Sequence, residues 1–358
     1  FVPGGGIWMN TQRPEWNDGN NALVGKGVSM VTLCYLRRFI AFQRDLLGRC
    51  SKTQFALSQG VSSFLQAIAA TLNAHAPRLE RNDLDDRARR VMMDELGEAG
   101  SAYRAQCYRA DGLGEPVNVS TAELRDVLTV ALRVVDATIR ANRRPDGLYH
   151  AYNILTFGAD TAVVEHLYEM LEGQVAALSS GLLSASESLD VLRALRSSRM
   201  YRADQHSYML YPDRDLPGFL AKNRLDAARV KDSELVAALT AHGNRSVLSQ
   251  DVDGAYHFCG DFRNVRDLKA ALNALRADAR YANLVEREAE AICQLFEEVF
   301  NHRAFTGRSG TFFGYEGLGS IYWHMVSKLL LATQETYCRA TANGENPASL
   351  QELAERDY

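Results

Sequence analysis

The chain has 358 residues, 46% hydrophobic and 23% charged, with 40 Lys and Arg against 44 Asp and Glu for a formal net charge of -4. That length can bury one large core or two ordinary ones, and its apolar residues are spaced too regularly for long disorder. The balanced charge gives no electrostatic footprint for nucleic acid or an anionic membrane surface.

Taken in chain order, the spacing predicts helices almost throughout. Over 25–47 the residues Val28, Val31, Leu33, Tyr35, Leu36, Phe39, Ile40 and Phe42 run nearly all round, as in a buried helix. A second helix over 54–76 carries Phe55, Leu57, Val61, Phe64, Leu65, Ile68 and Leu72. It belongs to the longest stretch free of Asp, Glu, Lys and Arg, yet Gln59, Gly60, Gln66 and Asn73 interrupt it, which fits a core helix and not a membrane span. Ser120 and Glu123 form a capping box, each able to satisfy an orphan amide, ahead of a stripe at Leu124, Leu128, Ala131, Leu132, Val135 and Ile139. Another helix is expected from Asp160, with Val163, Val164, Leu167, Met170, Leu171 and Val175 on its inner side. Ser184 and Glu187 repeat the capping box, and Asn264 can cap a helix carrying Val265, Leu268, Leu272 and Leu275. Further helices are expected over 283–300, 317–339 and 349–355. Strand signals are confined to 148–155 and 253–259, beside Gly147 and Gly254. With no Pro/Ser-rich linker, the chain reads as a single domain over 1–358. With no fixed repeat period, the paired helices favour an α/α barrel over a solenoid: an all-α fold with a few short β-hairpins in loops.

The six cysteines show no C-x-x-C and no histidine at zinc-ligand spacing. A disulfide framework or a metal site is therefore not expected, and a reducing compartment is. His75 and His166 fall in helical stretches, where core or surface roles dominate, while His206, His257 and His324 lie near loops.

Three loop clusters carry the chemistry-bearing residues. The first, 4–21, gathers Trp8, Trp16, Arg13, Glu15, Asp18 and several Asn side chains ahead of an apolar helix. Trp faces stack on pyranose rings, and amides and carboxylates bind hydroxyls. A carboxyl group beside Trp can have a raised pKa suited to a general acid. The plainer reading is that Asp18 or Asn20 simply caps the helix. The second, 198–218, holds three tyrosines, three arginines and three aspartates with Gln205, His206 and Tyr208, and would serve either a site or a self-packed surface loop. The third, 301–324, sets Arg303, Arg308, Ser309, Thr311, Ser320 and His324 among closely spaced glycines before a helix. It could surround an oxyanion, or the glycines could serve tight turns alone. The Gly-Lys-Ser/Thr ending of a Walker A loop is missing.

Trp16-Asn17-Asp18-Gly19, with Asn21 and then Val24-Gly25, resembles the Gly-Asp-Trp-Asn-Asp-Gly-Met-Asn-x-Val-Gly motif of the cellobiose and chitobiose phosphorylase family. The resemblance implies an inverting glycoside phosphorylase on an (α/α)6 barrel, with Asp18 as general acid and Trp16 beside it in the sugar site. Glu15 stands where that family has Asp, and Asn20 where it has Met. Gly319-Ser320, before Tyr322-Trp323, is similar to the family's late Gly-Ser turn, which contributes to its phosphate site. In the family the acid lies midway along the barrel, behind a β-sandwich and the first barrel helices. The resemblance therefore implies that this chain carries the later part of such a barrel.

On this reading Asp18 protonates the glycosidic oxygen while inorganic phosphate, the co-substrate, attacks the anomeric carbon from the opposite face. Arg303, Arg308, Gly319, Ser320 and His324 would hold the phosphate. Arg13, Glu15, Trp16, Asn17, Asn21, Gln205, His206 and Tyr208 would bind the oligosaccharide. No metal or other cofactor is expected, nor a nucleic-acid or membrane partner. A homodimer stays open. A cytoplasmic location is expected, with periplasmic or secreted ones compatible. Two alternatives stand beside it. An inverting hydrolase would use Glu316 as base about 6.5–9.5 Å from Asp18, and a non-catalytic carbohydrate-binding α/α protein would use the same aromatics without acid chemistry.

Overall fold

The computed structural model describes residues 1–9, 23, 25–108, 112–212, 217–300, 305–306, 312–313, 321–346, 348–349, 351–352 and 355. Where the sequence reads as one domain, the chain divides into two compact units, Phe1–Asp213 with Gly317–Tyr358, and Arg214–Glu316.

The first unit is built on helices α1 (Met30–Arg49), α2 (Gln59–Glu80), α3 (Asp86–Cys107), α4 (Thr121–Ala141), α5 (Leu171–Ser179), α6 (Ala185–Ser197) and, after the second unit, the C-terminal helix Trp323–Ala342. Their starts follow from local chemistry. Ser29 accepts from Thr32 N, Asp85 from Ala88 N, and both expected capping boxes form at Ser120/Glu123 and Ser184/Glu187. The core joins α1, α4, α5, α6 and the C-terminal helix through Leu33, Ile139, Leu171, Leu178, Leu195 and Ala332, all fully or almost fully buried. Each such Leu or Ile contributes about 1.5–3 kcal/mol by leaving water. Helix α5 is buried along nearly its whole length, as its almost uncharged sequence requires. Helix α1 is not buried all round. Tyr35, Phe39, Phe42 and Leu46 form one exposed apolar stripe at i, i+4, i+7 and i+11.

Three stretches expected to be helical begin as strands. Gly27–Ser29 is strand β2, paired with β1 (Ile7–Trp8). Gln54–Ser58 is β3, pairing antiparallel with β4 (Pro116–Ser120) so that Phe55 faces Val119 and Leu57 faces Val117. Ala162–His166 is β6, antiparallel to β5 (Tyr152–Phe157), so His166 lies on a strand and not on a helix. The β-branched pair Val163–Val164 suits that pleated position, and Gly158 N closes the turn onto Thr161 O at 3.0 Å. An apolar stripe running on into α5 hides the break. Strands β1, β2, β5 and β6 make one four-stranded antiparallel sheet in that order, flanking a core that remains helical. The molecule is thus mostly α with short antiparallel strands, and among the described residues the helices form no closed barrel.

The second unit interrupts the first between strand β8 (Ser207–Tyr208), which pairs with β7 (Tyr201–Arg202), and the C-terminal helix. It holds α7 (Phe219–Lys222), α8 (Glu234–Ala241), α9 (Val265–Leu275) and α10 (Ala282–Phe300). A β9–β10 pair (Leu248–Gln250, Tyr256–Phe258) and a β11–β12 pair (Phe305–Thr306, Phe312–Phe313) complete its described strands. The C-terminal helix Trp323–Ala342 is α11. This unit has its own core around Phe258, Leu268, Leu272, Val285, Ile292 and Phe296. Phe258 meets Phe296 edge to face at 4.9 Å. Asn223, buried, donates to Phe258 O and accepts from Phe258 N, and so fixes the β10 strand onto that core.

Candidate functional site

The residues of the Trp-Asn-Asp-Gly motif (Arg13, Glu15, Trp16, Asn17, Asp18 and Asn21) lie outside the described residues, and so do Arg303, Arg308, Glu316, Gly319 and Ser320. What is described is the pair of strands that flanks the first cluster in the chain. Residues 10–22 connect β1 to β2, which pair directly through Ile7↔Ser29 and Trp8↔Val28. Met9 N donates to Gly27 O at 2.9 Å, and Trp8 Nε1 to Gly25 O at 3.3 Å. Gly6 has φ +128°, and a Cβ there would meet Ser29 O at 2.6 Å, so only glycine lets β1 approach β2.

Behind this edge every carbonyl of the Pro3–Gly5 turn is taken by a side chain. Arg89 Nε donates to Pro3 O (2.8 Å), Asn142 Nδ2 to Gly4 O (2.9 Å) and Asn153 Nδ2 to Gly5 O (2.7 Å). Asn153 also donates to Asn142 Oδ1 and accepts from His166 Nδ1 at 2.8 Å. The His166 ring stacks on His150 at 4.0 Å, and His150 Nδ1 donates to Leu167 O. Burial, and then the neighbouring His166, push the His150 pKa down to about 4; burial lowers His166 as well. Both rings are therefore neutral at pH 7, and the network is a fixed scaffold for the segment that enters the motif.

Helix α5 adds a carboxyl group that sequence reading passed over. Gln174 exchanges hydrogen bonds with the Tyr149 backbone in both directions at 2.8 Å. A Cβ on Gly173 would lie 3.0 Å from Ala151 Cβ, so the helix start is pressed against residues 149–151. That docking brings Glu172 to the Tyr152 hydroxyl, which donates at 2.8 Å. Burial raises the Glu172 pKa above the ordinary carboxylate value, against the Tyr152 hydrogen bond and the Lys328 charge. The available signal was three polar-compatible residues, Glu172-Gly173-Gln174, opening an otherwise apolar helix.

Trp323, near the end of the third cluster, shares a cleft with two residues of the second. A cleft of about 700 Å³ lies between α6, the β7–β8 hairpin and the start of α11. His206, at φ +47° in the hairpin turn, and Tyr208 line it together with Trp323, Arg196, Ser327 and Thr333. Trp323 is 63% exposed at the first turn of α11, so its ring is available to stack on a ligand. Arg196 lies over the Tyr201 ring at 3.6 Å, which fixes its guanidinium at the rim. The cleft has the size and mixed polar and aromatic lining of a small-molecule site. Gln205 and His324 are not among its lining residues. Gln205 closes the hairpin turn through its amide to Arg202 O, and His324 is exposed beside Tyr322. Trp323 and Arg196, absent from the sequence-derived site, are the residues that tertiary structure adds.

Two other histidines have structural partners. His75 Nε2 lies 3.1 Å from Glu95, tying α2 to α3, and His257 bridges Asn223 O and the Asp251 carboxylate. Among the described residues no group of three or more His, Cys, Asp or Glu side chains is arranged to hold a metal ion, and no helix is long and apolar enough to cross a membrane.

Residues 216–303 match the family model described as GH149 phosphorylase insertion domain 2. The match falls within the second unit, Arg214–Glu316, the one the chain inserts into the first. It supports a carbohydrate-active enzyme, and within that class a glycoside phosphorylase. It does not select the cellobiose and chitobiose phosphorylase type that the Trp16–Gly19 motif resembles. No curated protein matches the chain.

Proposed function

We propose that the chain serves phosphorolysis of a β-linked oligosaccharide with inversion, with Asp18 as the general acid. The observation that carries the reading is the match of residues 216–303 to a phosphorylase insertion domain, in a chain whose residues 16–19 independently resemble a phosphorylase acid motif. An inverting phosphorylase needs one protein carboxyl group. Asp18 donates its proton to the leaving glycosidic oxygen as a phosphate oxygen attacks the anomeric carbon, giving an α-configured sugar 1-phosphate. Trp16 stacks on the sugar at the cleaved bond. Arg303, Arg308, Gly319, Ser320 and His324 hold the phosphate, and His206 and Tyr208, which line a cleft with Trp323, bind part of the oligosaccharide.

The test is product analysis of the full chain on a panel of β-linked glucans, with and without phosphate. Phosphate-dependent release of an α-sugar 1-phosphate is expected; equal release of free sugar without phosphate, abolished in Glu316→Gln, would establish the hydrolase with Glu316 as base. Asp18→Asn is expected to lower turnover of unactivated glycosides by about 10²–10⁴-fold with sugar affinity retained. A variant keeping more than about a tenth of the parent rate would remove Asp18 from the role. Glu316→Gln is expected to keep phosphorolysis, because a carboxylate aimed at the phosphate dianion would repel it.

A further inference from the structure

Near the end of α11 remote from Trp323, about 24 Å along the helix at 1.5 Å per residue, the first unit carries a second cleft of about 710 Å³. Four guanidinium groups border it: Arg37, Arg38 and Arg44 from α1, and Arg339 from α11. Three of them have carboxylate partners, Arg37 with Asp136 at 2.9 Å, Arg38 with Glu335 at 2.6 Å and Arg44 with Asp45 at 3.2 Å. Arg339 has none among the described residues. Its hydrogen bonding there is a single contact from Nη2 to Thr336 Oγ1 at 3.3 Å, although the side chain is half-buried.

The surroundings of Arg339 deepen the imbalance. Gly181, at φ +74° just past α5, offers no side chain. A Cβ built on it would lie 3.3 Å from Arg37 Nη1 and 3.7 Å from Arg339 Nη1. Two like charges therefore converge over one bare stretch of backbone. Arg37 is held there by Asp136 and by its bond to Ser180 O at 3.2 Å. Burial and the Arg37 charge hold Arg339 below the ordinary guanidinium pKa, against the opposing charges of Glu345 and Glu335. A partly desolvated cation with no ion pair of its own, set beside another cation, gains from a directly bound anion.

We propose that this cleft is a second ligand site, in which Arg339, with Arg37 beside it, binds the phosphate dianion of a small hydroxylated phosphate monoester or of free phosphate. The planar fork of Arg339 has its unused N–H donors available for two phosphate oxygens. Gly181 leaves the approach open, and Ser179, Gln334 and Asn343 supply neutral donors and acceptors suited to hydroxyl groups. The volume suits a small molecule and not a chain. Asp45 and Glu335, the two acids of the lining, are paired with Arg44 and Arg38, and neither Glu335 nor Glu345 forms an ion pair with Arg339, although both charges favour its cationic form.

The test is calorimetric titration of the full chain with glucose 6-phosphate and, separately, with inorganic phosphate. Glucose 6-phosphate carries its phosphate away from the anomeric carbon and so is not a phosphorolysis product. Saturable binding is expected, weakened about tenfold or more in Arg339→Gln. The same variant keeps the parent KM for phosphate and kcat in phosphorolysis. Arg339→Lys keeps the charge without the fork, is also weakened, and carries the test if Arg339→Gln fails to fold. An Arg339-dependent component with glucose 6-phosphate identifies a phosphate monoester; one with inorganic phosphate alone identifies the free ion. Unchanged binding of both probes in the Arg339 variants, or no saturable binding of either, overturns the proposal. Absence of phosphorolysis in the parent protein would instead overturn the catalytic reading and leave this site standing.

Discussion

His150 shows how one side chain can set the acid limit of the first unit. Its folded pKa is about 4 against an ordinary 6.5, because the ring is buried and stacked on His166. As pH falls through about 6.5 the unfolded chain takes up a proton that the folded chain refuses until about pH 4. Stability contributed by the neutral ring is therefore lost across that window and levels off below it. Urea unfolding at steps between pH 7 and pH 4 should show the decline, and His150→Gln, which can still donate to Leu167 O, should make it shallower. Glu172 has the opposite sign. Its raised pKa means that the folded state disfavours the carboxylate, so the penalty is present at neutral pH and fades as pH falls toward the ordinary carboxylate range. Glu172→Gln should raise Tm at pH 7, with the difference shrinking on acidification; a drop in Tm at pH 7 would show that the charge itself is required. Asn153→Ala strips partners from Gly5 O, Asn142 Oδ1 and His166 Nδ1 at once, and is expected to cost at least about 2 kcal/mol by denaturant unfolding.

Among the elements, the β1–β2 pair bears most directly on the proposed function, because it flanks in the chain the segment that holds the proposed acid. Gly6→Ala drives a Cβ into Ser29 O, so β1 must move away from β2. Its expected signature is a fall in kcat larger than any change in KM for the sugar, read from steady-state phosphorolysis; unchanged kcat would show that the motif does not depend on this edge. The helix caps were legible because Ser120, Ser184 and Asn264 act on amides within three residues of themselves. Helix α3 was not legible. Only Ala88 and Met92 of its twenty-two residues are buried, so its apolar stripe is too thin to see. Strands β2, β3 and β6 were hidden because each runs into an apolar helix, and period two over three to five residues does not stand out against the longer helical pattern.

For the whole molecule, the phosphorylase insertion match over 216–303 lies within the second unit, Arg214–Glu316, and each unit has a core of its own. A chain of residues 214–316 is expected to unfold cooperatively by circular dichroism, with a helical spectrum. A gradual, non-cooperative loss of ellipticity would mean that its core around Phe258 and Phe296 needs the first unit. No linker announced the division, since the sequence around both boundaries is already rich in aromatic and charged residues.

The sequence by itself determined the helical class and the capped helix starts, and its Trp16–Gly19 run first suggested a glycoside phosphorylase by resemblance. These rest on local spacing, on amides within one turn, or on a short run of side chains. Tertiary structure decided what shares a space. It set His206 and Tyr208 beside Trp323 while leaving Gln205 and His324 off the cleft, closed Asn142 and Asn153 onto a turn more than a hundred residues away, and converged Arg37 and Arg339 over Gly181. Those neighbours come from helices and strands distant in the chain, and only the packing of a common core fixes which faces meet.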